Sequence, residues 1–218
     1  MKIKYPRSWH LDYSQKAFSD DKRHIDDSHF IGSEVVVTIK MDGENTTIYN
    51  DYSHARSLDS KLDSEDRRWI DAFRIAKIEG NIPDSYRICG ENLFYKHTCH
   101  YNDLDSMFYA FSIWDGETCL SWDDSEKWCN LLDIKMVPVI WRGEYNKNAI
   151  LKEFSDYSED RNTEGFVIRK AGEFKIEDFK FSLSKYVSSN FVIPDEHWRH
   201  SVKVMNGLKG GKNPWQMF

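Results

Sequence analysis

The chain has 218 residues, 40 % of them hydrophobic and 15 % aromatic, enough to bury one substantial core and unlike a disordered segment. Its 36 acidic and 30 basic residues leave a formal charge of −6, which argues against indiscriminate coating of nucleic acid but allows a local basic groove. No apolar run is long enough to span a bilayer, residues 1–14 lack the core of a signal peptide, and Cys89, Cys99, Cys119 and Cys129 show no C-x-x-C spacing, so a cytoplasmic, reducing setting is expected.

In chain order, the apolar run 35–40 reads as a buried strand. It leads into a tight Asp42-Gly43 turn and a second strand over 46–49, the pattern of a hairpin. Ser64, Glu65 and Asp66 then open a helix in which Trp69, Ile70, Phe73 and Ala76 recur at helical spacing, with Gly80 and Pro83 as its stop. Strands are expected over 86–89 and 108–114. Ser121 with Asp124 resembles a capping box ahead of Trp128, Leu131 and Leu132. A strand over 136–141, a weaker helix over 149–154 and a strand over 165–169 follow.

Successive strands with interspersed helices, and no Gly-rich dinucleotide or Walker loop, point to an α+β domain of largely antiparallel sheets flanked by helices. This domain is expected to occupy 1–195. Residues 196–218 form a short basic C-terminal segment: beyond Glu196 there is no acid, while Arg199, Lys203, Lys209 and Lys212 are all positive. Val202 and Met205 suit a short amphipathic helix ending near Gly207. The segment reads either as a solvated helix with a frayed tail or as an arm along a phosphate backbone.

Lys40 is the residue of greatest chemical interest. Alternation along its strand puts it on one face with Thr38 and Val36. Neutralising an ordinary lysine at pH 7 costs roughly 4–5 kcal/mol. Burial and a nearby cation lower that cost, which is how a lysine becomes a nucleophile. Lys-x-Asp-Gly is also ordinary hairpin chemistry, so these residues alone leave both readings open. His97, Cys99 and His100 lack a fourth ligand nearby and make a weak zinc candidate.

Five separated segments resemble the motifs of the covalent nucleotidyltransferases, the superfamily of ATP-dependent ligases and capping enzymes. Lys40-Met41-Asp42-Gly43-Glu44-Asn45 resembles motif I, Cys89-Gly90-Glu91-Asn92-Leu93 motif III and Phe108-Tyr109-Ala110-Phe111-Ser112-Ile113-Trp114-Asp115 motif IIIa. Glu164-Gly165-Phe166-Val167-Ile168-Arg169 is similar to motif IV, and Lys185-Tyr186-Val187 falls where motif V belongs. Each motif is weak alone; their order and spacing together are not. Tyr5-Pro6-Arg7-Ser8, His54-Ala55-Arg56-Ser57-Leu58-Asp59-Ser60 and Asp195-Glu196-His197-Trp198 extend the likeness to a bacterial and phage group of ATP-dependent RNA ligases.

That resemblance implies a nucleotidyltransferase, ATP-grasp-like fold. It also implies a cycle in which ATP, with Mg²⁺ or Mn²⁺, leaves AMP covalently on Lys40 and then joins RNA 5′-phosphate and 3′-hydroxyl ends. By the same resemblance Glu91 would hold the ribose and Phe111 would stack on adenine, with Ile39 beside the base. Glu164 and Asn45 would serve the metal, Arg56 would meet phosphate, and Lys185 would stabilise charge on the α-phosphate. Read singly, Phe111 is first a core residue and Lys185 a solvated lysine, while Glu91 and Glu164 read as readily as strand-end acids and Arg56 as a surface ion-pair partner.

Two departures stand out. Val187 replaces the usual second lysine of motif V, leaving Lys180 or a tail lysine as candidate substitutes. The residues after Val187 are also too few for the OB domain that capping enzymes and larger DNA ligases carry. A minimal DNA or nick ligase, and a binding module that has lost ligation, are the competing readings.

Overall fold

The computed structural model describes residues 2–17, 21–58, 63–191 and 203–217. Asp59 and Ser60, Asp195 to Trp198, Arg199 and Val202 lie outside the described residues.

The strands are β1 (Trp9–His10), β2 (Glu34–Lys40), β3 (Glu44–Tyr49), β4 (Ser53–Ala55), β5 (Tyr86–Asn92), β6 (Phe108–Asp115), β7 (Thr118–Cys119), β8 (Val139–Glu144), β9 (Gly165–Lys170), β10 (Phe174–Lys175) and β11 (Leu183–Val187). The helices are α1 (Glu65–Lys77), α2 (Trp122–Leu131), α3 (Lys147–Ser158) and the single turn α4 (Phe179–Ser182). Among the described residues the strands form a five-stranded sheet in the order β1-β11-β9-β2-β8 and a six-stranded sheet in the order β10-β7-β6-β5-β3-β4. The β1–β11 pair is parallel and the other pairings are antiparallel, so the α+β, mainly antiparallel architecture expected from sequence is what forms.

Helix α1 covers the larger sheet with its Trp69, Ile70 and Phe73 face. Trp69 stacks on Phe73 at 5.3 Å, and Phe73 meets Phe108 of β6 at 5.4 Å. Each such side chain gains about 1.5–3 kcal/mol on leaving water. In α2 the Ser121 hydroxyl accepts the Asp124 N–H, as the capping pattern requires; the Ser64 side chain makes no such bond at the start of α1. Helix α3 is longer than the stretch 149–154, because Asn146 caps it from outside the apolar window. It packs Phe154 against Phe166 and Tyr186 of the smaller sheet.

Two expectations fail for one physical reason. β2 and β3 do not form a hairpin, since they belong to different sheets. A type I′ turn needs positive φ at its central residues, and Gly43 does not have it. Gly43 serves close approach instead: a Cβ there would lie 2.4 Å from the Asn92 carbonyl oxygen. The run 136–141 is also divided between sheets. Ala110 of β6 donates to the Lys135 carbonyl and accepts the Val137 N–H, and pairing to β2 begins only at Val139. Pro138 carries no N–H, although its carbonyl accepts from Ile39. Both crossings between the sheets border the same cleft.

The C-terminal segment is a third correction. Residues 203–208 are extended rather than helical, with bridges Tyr95↔Met205 and Leu104↔Leu208, and only the short turns Lys209–Gly211 and Pro214–Gln216 are helical in type. It is not frayed: Asn206, Leu208 and Pro214 are buried.

Candidate active site

The two sheets diverge around a cleft of about 350 Å³. The smaller sheet contributes Thr38, Ile39 and Lys40 from β2, Val167 and Arg169 from β9, and Leu183 and Lys185 from β11. The larger contributes Glu44 and Asn45 from β3, Glu91 from β5 and Phe111 from β6. Arg56, which follows β4, also borders it.

Most sequence-predicted site residues thus converge on one cavity. Glu164 is the exception in detail: its carboxylate receives a hydrogen bond from the Lys40 ammonium and is not itself a wall of the cleft. Register explains the meeting. Lys40 lies opposite Gly165 on β9, which brings the preceding Glu164 alongside the amine. On the other sheet Asn45 lies opposite Glu91, and the Glu91 carboxylate accepts the Gly43 N–H at 3.2 Å. Asp42 organises the neighbouring loop. Its carboxylate accepts the Thr98 and Cys99 N–H groups at 2.7 and 2.6 Å and fixes that loop.

The electrostatics correct the expected state of Lys40. Burial opposes its charge, but Glu164, Glu91 and Asp42 outweigh burial, and the pKa is raised. In this state the amine is held as an ammonium. Burial likewise raises Glu164 despite the attraction of Lys40. Glu91, half-buried and sharing that one cation with two other acids, is pushed up to about 8, chiefly by desolvation. The folded protein therefore binds this proton more tightly than the unfolded chain, and the resulting stabilisation fades as pH rises from about 4.5 towards 8. Glu91→Gln should gain stability over the native protein across that interval and gain no more above it, which urea melts at pH 5, 7 and 9 will measure.

Lys185 is 3.0 Å from Asp21, whose other carboxylate oxygen is 3.0 Å from His10. Burial lowers the Lys185 pKa, with Asp21 partly compensating. Val187 does not substitute for a lysine in any polar sense: it is buried with Cys99 and Phe191. Lys180, Lys203 and Lys209 are not among the residues lining the cleft. Lys180 sits over Phe181, Lys203 over Tyr95, and Lys209 pairs with Asp105.

At the apolar end, Phe111 and Val167 face in from different sheets, with Tyr5, Trp122, Val137 and Leu183 around them. Tyr5 meets Phe111 edge-on at 5.2 Å. Val167, Trp122, Val137 and Leu183 were missed as site residues because nothing separates them from core positions in a linear reading. Tyr5 and Val167 lie within segments of the family likeness, which implies no role for either.

Among the described residues no group of three or more His, Cys, Asp or Glu side chains is arranged to hold a metal. The Asn45 Oδ1 atom, however, is buried without a hydrogen-bond partner beside these carboxylates. One or two carboxylates plus an amide oxygen suit a hard cation that shares its remaining positions with water and phosphate. No described helix is long and apolar enough to cross a membrane.

The fold resembles solved ligases. An RNA ligase of Naegleria gruberi with PPi superposes with a TM-score of 0.54 at 17 % identity, covering 76 % of this chain and 52 % of that one. A mutant of the same enzyme with ATP and Mn gives 0.56 at 15 % identity, covering 84 % and 59 %. A putative ATP-dependent DNA ligase from Aquifex aeolicus gives 0.55 at 15 % identity, covering 86 % and 50 %. At such identities the likeness is one of fold, and this chain spans between half and three-fifths of those proteins. A search of curated protein sequences finds no match. Residues 33–187 match the RNA ligase family model, a span that runs from the residue before β2 to the end of β11 and contains Lys40, Glu91, Phe111, Glu164 and Lys185. The chain belongs to the RNA ligase family.

Proposed function

We propose that the protein joins RNA 5′-phosphate and 3′-hydroxyl ends in an ATP-dependent cycle that passes through AMP bound covalently to Lys40. The observation that carries this is one amine at the meeting of two sheets, with an aromatic wall on one side and carboxylates on the other. An adenine fits between Phe111 and Val167, beside the Ile39 strand end, and a ribose hydroxyl can donate to Glu91. Lys185 and Arg56 are the cations for the phosphates, and Arg offers a bidentate fork.

In the first step the Lys40 Nζ lone pair attacks the α-phosphorus, an N–P bond forms, and the bond to the pyrophosphate oxygen breaks. Most of the work is positioning and charge stabilisation. The Lys40–Glu164 pair has to part and the ammonium has to lose a proton, because a protonated amine has no lone pair to offer. Burial then favours the neutral form. A Mg²⁺ or Mn²⁺ ion, for which Glu164 and Asn45 are the fitting donors, would neutralise phosphate charge when bound. AMP next passes to an RNA 5′-phosphate, and a 3′-hydroxyl displaces it.

Incubation with α-labelled ATP and Mg²⁺ or Mn²⁺ tests this. Alkali-stable, acid-labile label that is sensitive to acidic hydroxylamine should appear and map to Lys40 by mass spectrometry. Since the Lys40 pKa is raised, the rate should climb with pH through the range 7–9 rather than level off near neutrality. No label from any nucleoside triphosphate, on protein free of prior AMP, would leave a binding module as the better reading. Sealing that is indifferent to a 2′-hydroxyl at the 3′ end would favour a DNA or nick ligase.

A further inference from the structure

The segment 203–217 reads from sequence as a tail, yet it is threaded in behind the cleft. The Val204 carbonyl accepts from Lys96 at 2.8 Å, and the Asn206 N–H donates to the Phe94 carbonyl at 3.0 Å. Gly207 donates to the Tyr101 carbonyl at 2.7 Å and accepts from Leu104 at 3.0 Å. The segment therefore lies between residues 93–96 and 101–104 and ties them together. At its far end the Pro214 carbonyl accepts from the Trp69 indole at 3.0 Å, anchoring it to α1.

Asn206 is the centre of this arrangement. It is 2 % exposed, and both ends of its amide are used. Oδ1 accepts the Tyr101 N–H at 2.9 Å and Nδ2 donates to the Leu93 carbonyl at 2.8 Å. A buried amide satisfied by two backbone groups fixes their separation closely, since losing either bond leaves a polar atom unpaired.

Tyr101 leads directly to the reactive turn. Its hydroxyl accepts the Asp42 N–H at 3.0 Å, and the Asp42 carboxylate in turn holds the Thr98 and Cys99 amides. The turn between Lys40 and Asn45 crosses from one sheet to the other and so has no continuous ladder to hold it. Such a segment takes its order from contacts of this kind.

We propose that Asn206 is a positioning residue for the amine of Lys40. By fixing Tyr101 it fixes the turn that follows Lys40 and that meets Glu91, so a segment beyond the family-matched span is part of the frame of the site without lining its cleft. The catalytic part of this proposal rests on the lysyl-AMP reading; the structural part does not.

Hydrogen exchange and labelling kinetics on the full chain test both parts, using Asn206→Ala, Tyr101→Phe and the double variant. In Asn206→Ala the amides of Asp42, Thr98 and Cys99 should exchange at least about tenfold faster while those of α2 keep their native rates. The rate of lysyl-AMP formation should fall about tenfold with little change in the KM for ATP. The double variant should be no slower than the more impaired single one, as expected for residues acting in series. Unchanged exchange at those three amides, or faster exchange spread over the whole molecule, would overturn the proposal, as would rate losses that multiply. If native protein takes no label, the lysyl-AMP reading fails and exchange alone decides the positioning role. If Asn206→Ala does not fold, Tyr101→Phe decides it, and native exchange at Asp42 in that variant refutes the link.

Discussion

Lys40→Ala should take less than about one part in a thousand of the native label from ATP, because the proposed step runs through the Lys40 amine. Loss of label alone could reflect a damaged fold, and the charge balance shows why. The ammonium of Lys40 pairs with Glu164 and attracts Glu91, so truncation leaves neighbouring acids without that compensation. Their pKa values should rise further, and the alanine variant should lose stability relative to native as pH increases. Lys40→Arg separates the two effects. A guanidinium keeps a positive charge against Glu164 but stays protonated and offers no nucleophile. The arginine variant should melt near the native temperature at pH 7 and still take no label. Label at native levels in either variant, or label mapped to another residue, removes the basis of the mechanism.

Gly165→Ala should be the most damaging of the small substitutions. β9 lies between β2 and β11, and Gly165 is paired with Lys40 on one side and Val187 on the other. A Cβ there would lie 1.9 Å from the Tyr186 carbonyl oxygen and 3.0 Å from the Val187 Cα, both backbone atoms that cannot rotate away. Relief requires β11 to move from β9, where Lys185 is paired with Val167 and the Glu164 carbonyl accepts the Ser188 N–H. A loss of about 3 kcal/mol in urea unfolding is expected, together with loss of labelling in whatever remains folded. Gly172→Ala is the control. No atom lies within 4 Å of the added carbon there, and its midpoint should match the native one within error.

Local signals were readable and sheet membership was not. The apolar run of β2, the face of α1 and the capping box of α2 each depend on neighbours in sequence, and they form where the pattern puts them. Whether β3 pairs with β2 depends instead on Glu91 and Asn92 of β5 arriving from far along the chain. The same holds for the state of Lys40: the acid two positions away is turned to the Thr98 loop, while the acids with the larger effect, Glu164 and Glu91, come from β-strand neighbours distant in sequence. Order and spacing of the motifs located the charged half of the cleft. Of its apolar half only Phe111 and Ile39 were located, because Val137, Val167 and Leu183 look like any strand interior until the opposite wall is in view.

The cleft is open between two separate sheets, and this has a consequence for turnover. On the proposed cycle, a nucleotide touching Phe111 on one sheet and Lys40 on the other would act as a cross-brace, so the loaded protein would be stiffer than the empty one. Such stiffening would align the reactants for the first transfer, and each later departure of a product would have to loosen the same brace.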